Sequence, residues 1–366
     1  MSKKKIIFLI SSLGTGGAER QMVILLELLF KYNITPKVLT YYGTEKDYSV
    51  DFEIEKQSIN NASFFLRYMN VFRVLSKEKP EIVLSYTWLP NLLSIFYSFF
   101  NRNVKVIISE RNTTLKKTLL KKLLFFFYRF SDVIIVNSYS QTRYFEENNL
   151  ELLPKIRTIT NYIDISKYKF VIKEKKQIIK IAIFARYHPQ KNILNFIEAV
   201  DLVNKKGYSS LVEFHWYGEF FILKSGKYSK NSLYYLQCNK KRELLNLKNL
   251  FFHNFETNVQ ERILCMDAIC LPSFYEGFSN ILSESICSCK PILASDVCDN
   301  PLFVKNNYNG FLFDPTSVDD MASAIENFIC ISDADYQLYQ RNSRALAELL
   351  FSEKNFIESY LDVLNN

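Results

Sequence analysis

Two glutamates separated by seven residues, Glu276 and Glu284, have the chemistry to bind a polar ligand together. They lie in residues 271–286 (LPSFYEGFSNILSESI), where a strand-like run is followed by a turn and a predicted helix over residues 281–287. Each carboxylate can accept two hydroxyl hydrogen bonds, and the backbone N–H groups at the start of the helix can bind a phosphate. The pattern therefore predicts a site for a compound that carries both hydroxyls and phosphate, as a nucleotide sugar does.

A basic pair lies upstream, in residues 183–192 (IFARYHPQKN). Arg186 and Lys191 are five residues apart, at the end of a predicted strand and the start of the next helix, so both can reach one diphosphate. Two cations there would balance the negative charge of such a diphosphate. Surface charges that flank a loop are the alternative explanation, and the position of the pair argues against it.

Glycines follow the first predicted strand, in residues 12–21 (SLGTGGAERQ). Gly14 and Gly16 fit the dinucleotide fingerprint G-x-G-x-x-G, but Glu19 occupies its third glycine position, and no acidic residue stands at the expected ribose position. The loop also lacks the Gly-Lys-Ser/Thr of a Walker loop. The sequence indicates close approach of the backbone to an anion, and a tight strand-to-helix turn explains the glycines equally well.

Strand-like and helix-like segments alternate through both halves of the chain, which predicts an α/β protein with parallel sheets. The predicted strands are residues 5–10, 36–40, 81–85, 104–109 and 133–137 in the first series, and 178–185, 212–217, 250–253, 268–272 and 291–295 in the second. We predict two Rossmann-like domains, residues 1–165 and 178–350, which face each other across a cleft and are joined by a charged linker over residues 166–177. A final helix in residues 351–366 is expected to pack back toward the first domain.

Composition and charge narrow the possible functions. The 366-residue chain has a formal net charge of +8, which suits nucleic acid, an anionic membrane surface or a phosphorylated small molecule. No nucleic-acid-binding motif accompanies the basic residues, so no nucleic-acid partner is expected. No stretch of about eighteen uncharged apolar residues occurs, so no membrane-spanning helix is expected. Seven cysteines, without a Cys-x-x-Cys pair, indicate free thiols in a cytoplasmic protein and no metal site.

One segment of the first half combines basic and apolar residues. Residues 115–130 (LKKTLLKKLLFFFYRF) interleave four lysines with leucines and aromatic residues, and a second apolar run covers residues 92–100. Such a basic amphipathic pattern is typical of a helix that lies on an anionic membrane surface. The region from Lys116 to Phe130 therefore predicts peripheral attachment to the inner face of the cytoplasmic membrane. A core-facing helix with solvated lysines is the alternative.

The segment with the two glutamates resembles the E-x7-E signature of retaining glycosyltransferases of family 4, which have the GT-B fold. Residues 183–192 are similar to the G-R-x4-K-G segment of that family, with Ala185 and Asn192 in place of the two glycines. Residues 291–296 (PILASD) resemble its P-V-I-A-S-D strand, and GGAER at residues 16–20 is a frequent family form. The resemblance spans roughly residues 5–315.

This resemblance implies a bacterial enzyme that transfers a hexose or N-acetylhexosamine, with retention of configuration, from a nucleotide sugar such as a UDP-sugar. The acceptor would be a growing surface glycan, of a capsule or lipopolysaccharide, on a polyprenyl diphosphate carrier. The first domain would bind this acceptor and the second the nucleotide sugar, and no metal or other cofactor is expected. By the same resemblance, the catalytic residues would be Glu276, Arg186 and Lys191.

The resemblance also implies further donor contacts. Glu284 would bind the ribose hydroxyls, Phe255 and its neighbours would line the nucleobase site, and Gly16 and Gly17 would form the wall opposite the donor. The remaining expected substrate-binding residues are Gly277, Phe278, Ser279, Asn280 and Ile281.

One departure from the family concerns a histidine that many members have in a loop of the first domain, where it contacts the donor sugar. All three histidines of this chain lie in the predicted second domain. Residues 109–113 (SERNT) stand in the corresponding loop, so that Glu110, Arg111 and Asn112 either replace the hydrogen bonds of the histidine or bind the acceptor. A nucleotide-sugar epimerase of the same fold and a non-catalytic nucleotide- or glycan-binding module remain open as alternatives.

Overall fold

The computed structural model describes residues 4–14, 16–42, 48, 52–59, 63–111, 118–219 and 230–365, without the side chains of Phe64 and Lys230. The chain divides into two compact units, Met1–Tyr162 with Ser352–Asn366, and Ile163–Phe351. The charged segment 166–177 lies inside the second unit. Its backbone is bound there, because the N–H of Lys173 donates to Gln340 Oε1 at 2.9 Å.

The first unit is built on a parallel sheet with the described strand order β3-β2-β1-β4-β5-β6-β7. Its strands are β1 (Ile6–Ile10), β2 (Lys37–Thr40), β3 (Lys56–Ser58), β4 (Ile82–Tyr86), β5 (Lys105–Glu110), β6 (Val133–Val136) and β7 (Ile156–Thr158). The five predicted strands are confirmed to within one residue at each end. The short edge strands β3 and β7 were not predicted, because their sequences, KQS and IRT, contain no apolar run.

Helices cover both faces of this sheet. They are α1 (Gly17–Lys31), α2 (Phe64–Glu78), α3 (Trp88–Phe100), α4 (Leu119–Tyr128) and α5 (Tyr139–Asn148). Successive residues of β1 point to opposite faces, so that Phe8 and Ile10 pack in one apolar layer with α1, while Ile7 and Leu9 pack in the other. This burial on both sides explains why β1 (IIFLI) is a continuous apolar run.

The second unit repeats the architecture with the described strand order β10-β9-β8-β11-β12-β13, again parallel throughout. Its strands are β8 (Ile179–Phe184), β9 (Val212–Tyr217), β10 (Leu250–His253), β11 (Ala268–Leu271), β12 (Ile292–Ser295) and β13 (Gly310–Phe313), and of these only β13 was not predicted. The helices are α6 (Ile193–Val203), α7 (Lys230–Leu244), α8 (Val259–Cys265), α9 (Asn280–Cys287), α10 (Asn300–Phe303), α11 (Val318–Cys330) and α12 (Asp333–Leu350).

The last helix, α13 (Glu353–Asn365), belongs to the first unit. Phe356, Ile357 and Tyr360 enter the apolar layer that contains β1 and α1, and Lys105 Nζ of β5 donates to the carbonyl of Val363 at 2.6 Å. The sequence predicted a final helix over nearly the same residues.

Each sheet has a switch point, where the chain stops adding strands on one side of the first strand and starts on the other. These points lie between β1 and β4 in the first unit and between β8 and β11 in the second. Ligands of open parallel sheets bind outside the carboxyl ends of the strands at such points.

Among the helices that the structure describes, none is long and apolar enough to cross a membrane.

Candidate functional site

The loops that follow β8 and β11 meet at the switch point of the second unit. β8 and β11 are neighbours in the sheet, so their carboxyl ends lie side by side. The N–H of Phe274 donates to the carbonyl of Gln190 at 2.9 Å, and Gln190 Nε2 donates to the carbonyl of Tyr275 at 2.9 Å. The two segments singled out in the sequence are therefore hydrogen-bonded to each other.

Lys191 and Glu276, both predicted to be catalytic, form an ion pair in this place. Lys191 Nζ donates to Glu276 Oε1 at 2.5 Å, and the side chains are only 15% and 13% exposed. Lys191 ends a 3₁₀ turn (Pro189–Lys191), and Asn192 follows it with a left-handed φ of 60°. Asparagine adopts this conformation more readily than most residues, which explains how it can stand where the family has glycine.

Arg186 follows β8 and is exposed. The preceding residue, Ala185, is held from the side of β9, because its carbonyl accepts from Trp216 Nε1 at 2.8 Å. A Cβ on Gly218 would lie 2.5 Å from the same carbonyl, so the end of β9 requires glycine to approach β8 this closely. The base of Arg186 is thus fixed while its guanidinium faces solvent.

The start of α9 offers backbone donors beside Glu276. Ser279 caps the helix, with its hydroxyl accepting from the N–H of Leu282 at 3.4 Å. Glu284 is half-buried on the first turns of α9. The ring of Phe278 packs against Phe303 at 5.1 Å between ring centroids, so this residue can offer a ligand its backbone rather than its side chain.

The remaining predicted contacts of this segment are placed by the same turn and helix. Gly277 is half-buried, Asn280 is exposed as the first residue of α9, and the half-buried Ile281 packs against the apolar core below. In the part of the chain that the structure describes, no three His, Cys, Asp or Glu side chains are grouped to hold a metal ion. The cations of Arg186 and Lys191 are the groups that could hold a diphosphate.

Phe255, predicted to line the nucleobase site, is 65% exposed just after β10. Strands β8, β9 and β10 carry a series of stacked rings that the sequence did not predict. Tyr217 stacks on Phe184 at 5.0 Å and on His253 at 4.5 Å, and His253 stacks on His215 at 5.3 Å. His215 Nδ1 and His253 Nε2 are 3.0 Å apart, so one nitrogen donates and the other accepts. Burial lowers the pKa of both histidines below its ordinary value.

In the first unit, Gly16 caps α1 and Gly17 is its first residue. A Cβ on Gly16 would lie 2.0 Å from Glu19 Oε2, so the carboxylate of Glu19 lies directly against this glycine. An acidic side chain in the first turn is favoured by the positive end of the helix dipole. Glu19, which occupies the third glycine position of the dinucleotide fingerprint, therefore lies at the start of α1 against Gly16.

The loop proposed to replace the family histidine begins at the end of β5. Glu110 is completely buried, and its Oε2 accepts from the hydroxyl of Tyr128 at 2.7 Å. The guanidinium of Arg111 lies 4.9 Å from the ring centroid of Tyr86 and donates to Asn161 Oδ1 at 2.6 Å. Asn112 lies outside the described residues. Roles of Glu110, Arg111 and Asn112 in substrate binding stay predictions.

The predicted membrane-binding segment contains α4, whereas Lys116 and Lys117 lie outside the described residues. The side chains of Leu119 and Leu120 are 85% and 76% exposed, and those of Leu123 and Phe126 are 54% and 49% exposed. The opposite side of α4 is buried through Leu124, Phe125 and Tyr128. The helix therefore has an inner apolar side, as the core-helix alternative requires, and an outer apolar side that the first unit leaves uncovered.

Comparison with known proteins finds a family model that is similar to most of the second unit. Residues 164–344 match the family model described as glycosyl transferases group 1. The chain is 24% identical over 241 residues to the poly(ribitol-phosphate) alpha-N-acetylglucosaminyltransferase of Staphylococcus aureus, covering 65% of this chain and 44% of that protein. It is 26% identical over 181 residues to an Escherichia coli UDP-Gal:alpha-D-GlcNAc-diphosphoundecaprenol alpha-1,3-galactosyltransferase, covering 47% of this chain and 44% of that one. The chain thus spans less than half the length of these two relatives.

A third relative matches over most of its length. It is a Campylobacter jejuni alpha-1,4-N-acetyl-D-galactosaminyltransferase acting on a diNAcBac-PP-undecaprenol glycan, 24% identical over 325 residues, with 84% of each chain covered.

Solved structures share the fold at lower identity. The Anabaena HepE protein in complex with UDP superposes with a TM-score of 0.78 at 17% identity, covering 98% of this chain and 99% of that one. A glycosyltransferase from Rickettsia africae superposes with a TM-score of 0.79 at 17% identity over the full length of both chains. The chain therefore has the GT-B fold of glycosyltransferases, and its residues 164–344 are similar to the glycosyl transferases group 1 family.

Proposed function

We propose that this protein is a retaining glycosyltransferase of family 4 that moves a hexose or N-acetylhexosamine from a UDP-sugar to a growing, polyprenyl-diphosphate-linked surface glycan. The observation that carries the proposal is the meeting of Lys191, Glu276 and the start of α9 at the switch point of the second unit. Two relatives named above act on diphosphoundecaprenol-linked glycans, which supports an acceptor of this class.

In the proposed reaction, Arg186 and Lys191 bind the diphosphate and stabilise the charge that develops on it as the bond to the sugar breaks. Glu276 and the backbone N–H groups of residues 277–280 orient the sugar, and Glu284 binds the ribose hydroxyls. The acceptor hydroxyl attacks the anomeric carbon from the face that the UDP leaves. Its proton passes to a diphosphate oxygen, so neither a side-chain base nor a metal ion is needed.

The test is transfer from a panel of UDP-sugars to an undecaprenyl-diphosphate-linked glycan, in the presence and absence of a chelator. Glu276→Ala should abolish transfer and retain UDP binding, whereas Glu198→Ala, on the surface of α6, should leave both unchanged. Unchanged transfer by Glu276→Ala would refute the assignment. UDP binding without transfer in the wild-type chain would favour a non-catalytic module, and interconversion of free UDP-sugars would favour an epimerase.

We also propose that α4 docks on the anionic inner face of the cytoplasmic membrane. The outer leucines of α4 are exposed, and the helix contains Lys121 and Lys122 but no acidic residue. Burial of apolar side chains in the interface and attraction of lysines to anionic lipids add to each other. Leu120→Ser with Lys122→Glu should weaken sedimentation with anionic vesicles, and Lys354→Glu on α13 should not. Equal vesicle binding by both variants would exclude α4 as the docking helix.

A further inference from the structure

One buried carboxylate of the first unit has no role in the chemistry proposed above. Glu110 is the last residue of β5 and is 0% exposed. Its Oε2 accepts from the hydroxyl of Tyr128 at 2.7 Å, and its Oε1 lies 3.9 Å from Lys121 Nζ. Both partners lie on α4, so this helix is bound at two positions to the carboxyl end of β5.

The hydrogen bonds continue from α4 into the sheet. Asn91 of α3 donates through Nδ2 to the hydroxyl oxygen of Tyr128 at 3.1 Å and to the carbonyl of Ser109 at 3.1 Å. Its Oδ1 accepts from the hydroxyl of Ser85, in β4, at 2.9 Å. Burial, reinforced by Glu110, raises the pKa of the Tyr128 phenol well above its ordinary value, so this hydroxyl remains a donor. A buried network with these partners holds its members in one arrangement.

Arg111 follows Glu110 on the opposite side of the sheet. Its guanidinium lies over the ring of Tyr86 and donates to Asn161. Tyr86 belongs to the apolar layer that also contains residues of α13. Successive residues of a strand point to opposite faces, so Glu110 anchors the backbone to α4 while Arg111 presents its charge on the other side. A displacement of α4 therefore moves Glu110, and with it the backbone of the adjacent Arg111.

We propose that Glu110 is a positioning residue and not a substrate ligand. Through Tyr128 it holds Arg111 where the guanidinium can bind a phosphate of the acceptor, a geometry for which arginine is better suited than lysine. The seating of α4 on the sheet then sets the affinity for the acceptor and leaves the nucleotide site untouched. This inference rests on the proposed glycosyltransferase function.

A double-mutant cycle tests it, with Glu110→Gln, Tyr128→Phe and the pair assayed for transfer to the undecaprenyl-diphosphate-linked acceptor at a fixed amount of anionic vesicle. Each single variant should raise the acceptor KM by roughly 3- to 30-fold, and the double variant should be no worse than the poorer single. The UDP affinity and the kcat at saturating acceptor should change little. Tyr144→Phe, a half-buried tyrosine of α5 outside the network, is the matched control.

The outcomes separate the possible roles. A large effect of Glu110→Gln with a silent Tyr128→Phe would mean that Glu110 does not act through Tyr128, and it would overturn the proposal. A loss of thermal stability with an unchanged acceptor KM would leave a purely structural role and would also overturn it. If the wild-type chain binds UDP but transfers no sugar, the proposed function fails and this inference with it, whereas transfer with an unchanged KM in the variants refutes only the inference.

Discussion

Replacing Glu276 with glutamine is expected to tighten UDP binding while it slows transfer. Lys191 Nζ donates to Glu276 Oε1 at 2.5 Å, so a diphosphate that binds Lys191 competes with this carboxylate. Both side chains are largely shielded, at 15% and 13% exposure, which limits screening of the pair by solvent and salt. Glutamine keeps the size of the side chain and an acceptor oxygen but removes the charge.

The size of the effect follows from the difference between two kinds of hydrogen bond. The bond between two charged groups lies near the top of the range for charge-assisted bonds, about 3 kcal/mol, whereas the bond from the Lys191 cation to a neutral amide oxygen lies near its lower end, about 1.5 kcal/mol. The substitution therefore weakens the competing interaction by about 1–1.5 kcal/mol, which corresponds to a roughly 5- to 13-fold lower Kd for UDP. Transfer should fall by roughly 100-fold, because without Glu276 the donor sugar is no longer held in line with the acceptor hydroxyl.

Isothermal titration with UDP gives the affinity, and transfer to the lipid-linked acceptor gives the rate. Glu198→Gln is the matched control, because Glu198 also accepts from a lysine, Lys241, but on the surface of the same unit. That variant should bind UDP and transfer sugar as the wild type does. An unchanged or weaker UDP affinity in Glu276→Gln would show that the ion pair does not compete with the diphosphate, and the reasoning would fail.

Three further perturbations test other parts of the structure. Arg186→Met should lower kcat by roughly 100-fold with a smaller change in UDP affinity, and equal loss of both would contradict stabilisation of the leaving group. The pKa of Glu78 is lowered to about 2, mainly by the hydrogen bond from Lys37. The ionised Glu78 therefore stabilises the folded state above the ordinary carboxyl pKa, and this stabilisation is lost as the pH falls through 2. In urea titrations, the drop in the free energy of unfolding between pH 5 and pH 2 should therefore be about 1–2 kcal/mol smaller in Glu78→Gln than in the wild type. An equal drop in both proteins would disprove it. Because burial lowers the pKa of His253 and His215, the folded state loses stability as the pH falls below about 6.5; His253→Phe should flatten the dependence of Tm on pH between 7 and 5, and an unchanged slope would count against it.

Much of the fold could be predicted from the sequence because it is encoded locally. Central strands of a parallel sheet are buried on both faces, so β1 and β11 are continuous apolar runs that can be recognised without any partner. Edge strands are not so marked, and β3, with the sequence KQS, was missed for this reason. The two segments with the candidate catalytic residues could also be located, because turn and helix-start residues follow their strands directly.

What the sequence determined by itself was therefore the order of strands, turns and helices, and the chemistry that each loop carries. Only the tertiary structure decided which of these loops meet. Lys191 and Glu276 are 85 residues apart and touch because β11 pairs with β8 and not with its predecessor in the chain. In the same way, Glu110 looked like a loop residue open to substrate, and packing of α3 and α4 over the end of β5 buries it completely. Periodicity and turn chemistry act over a few residues, whereas strand order and side-chain burial depend on how distant segments pack.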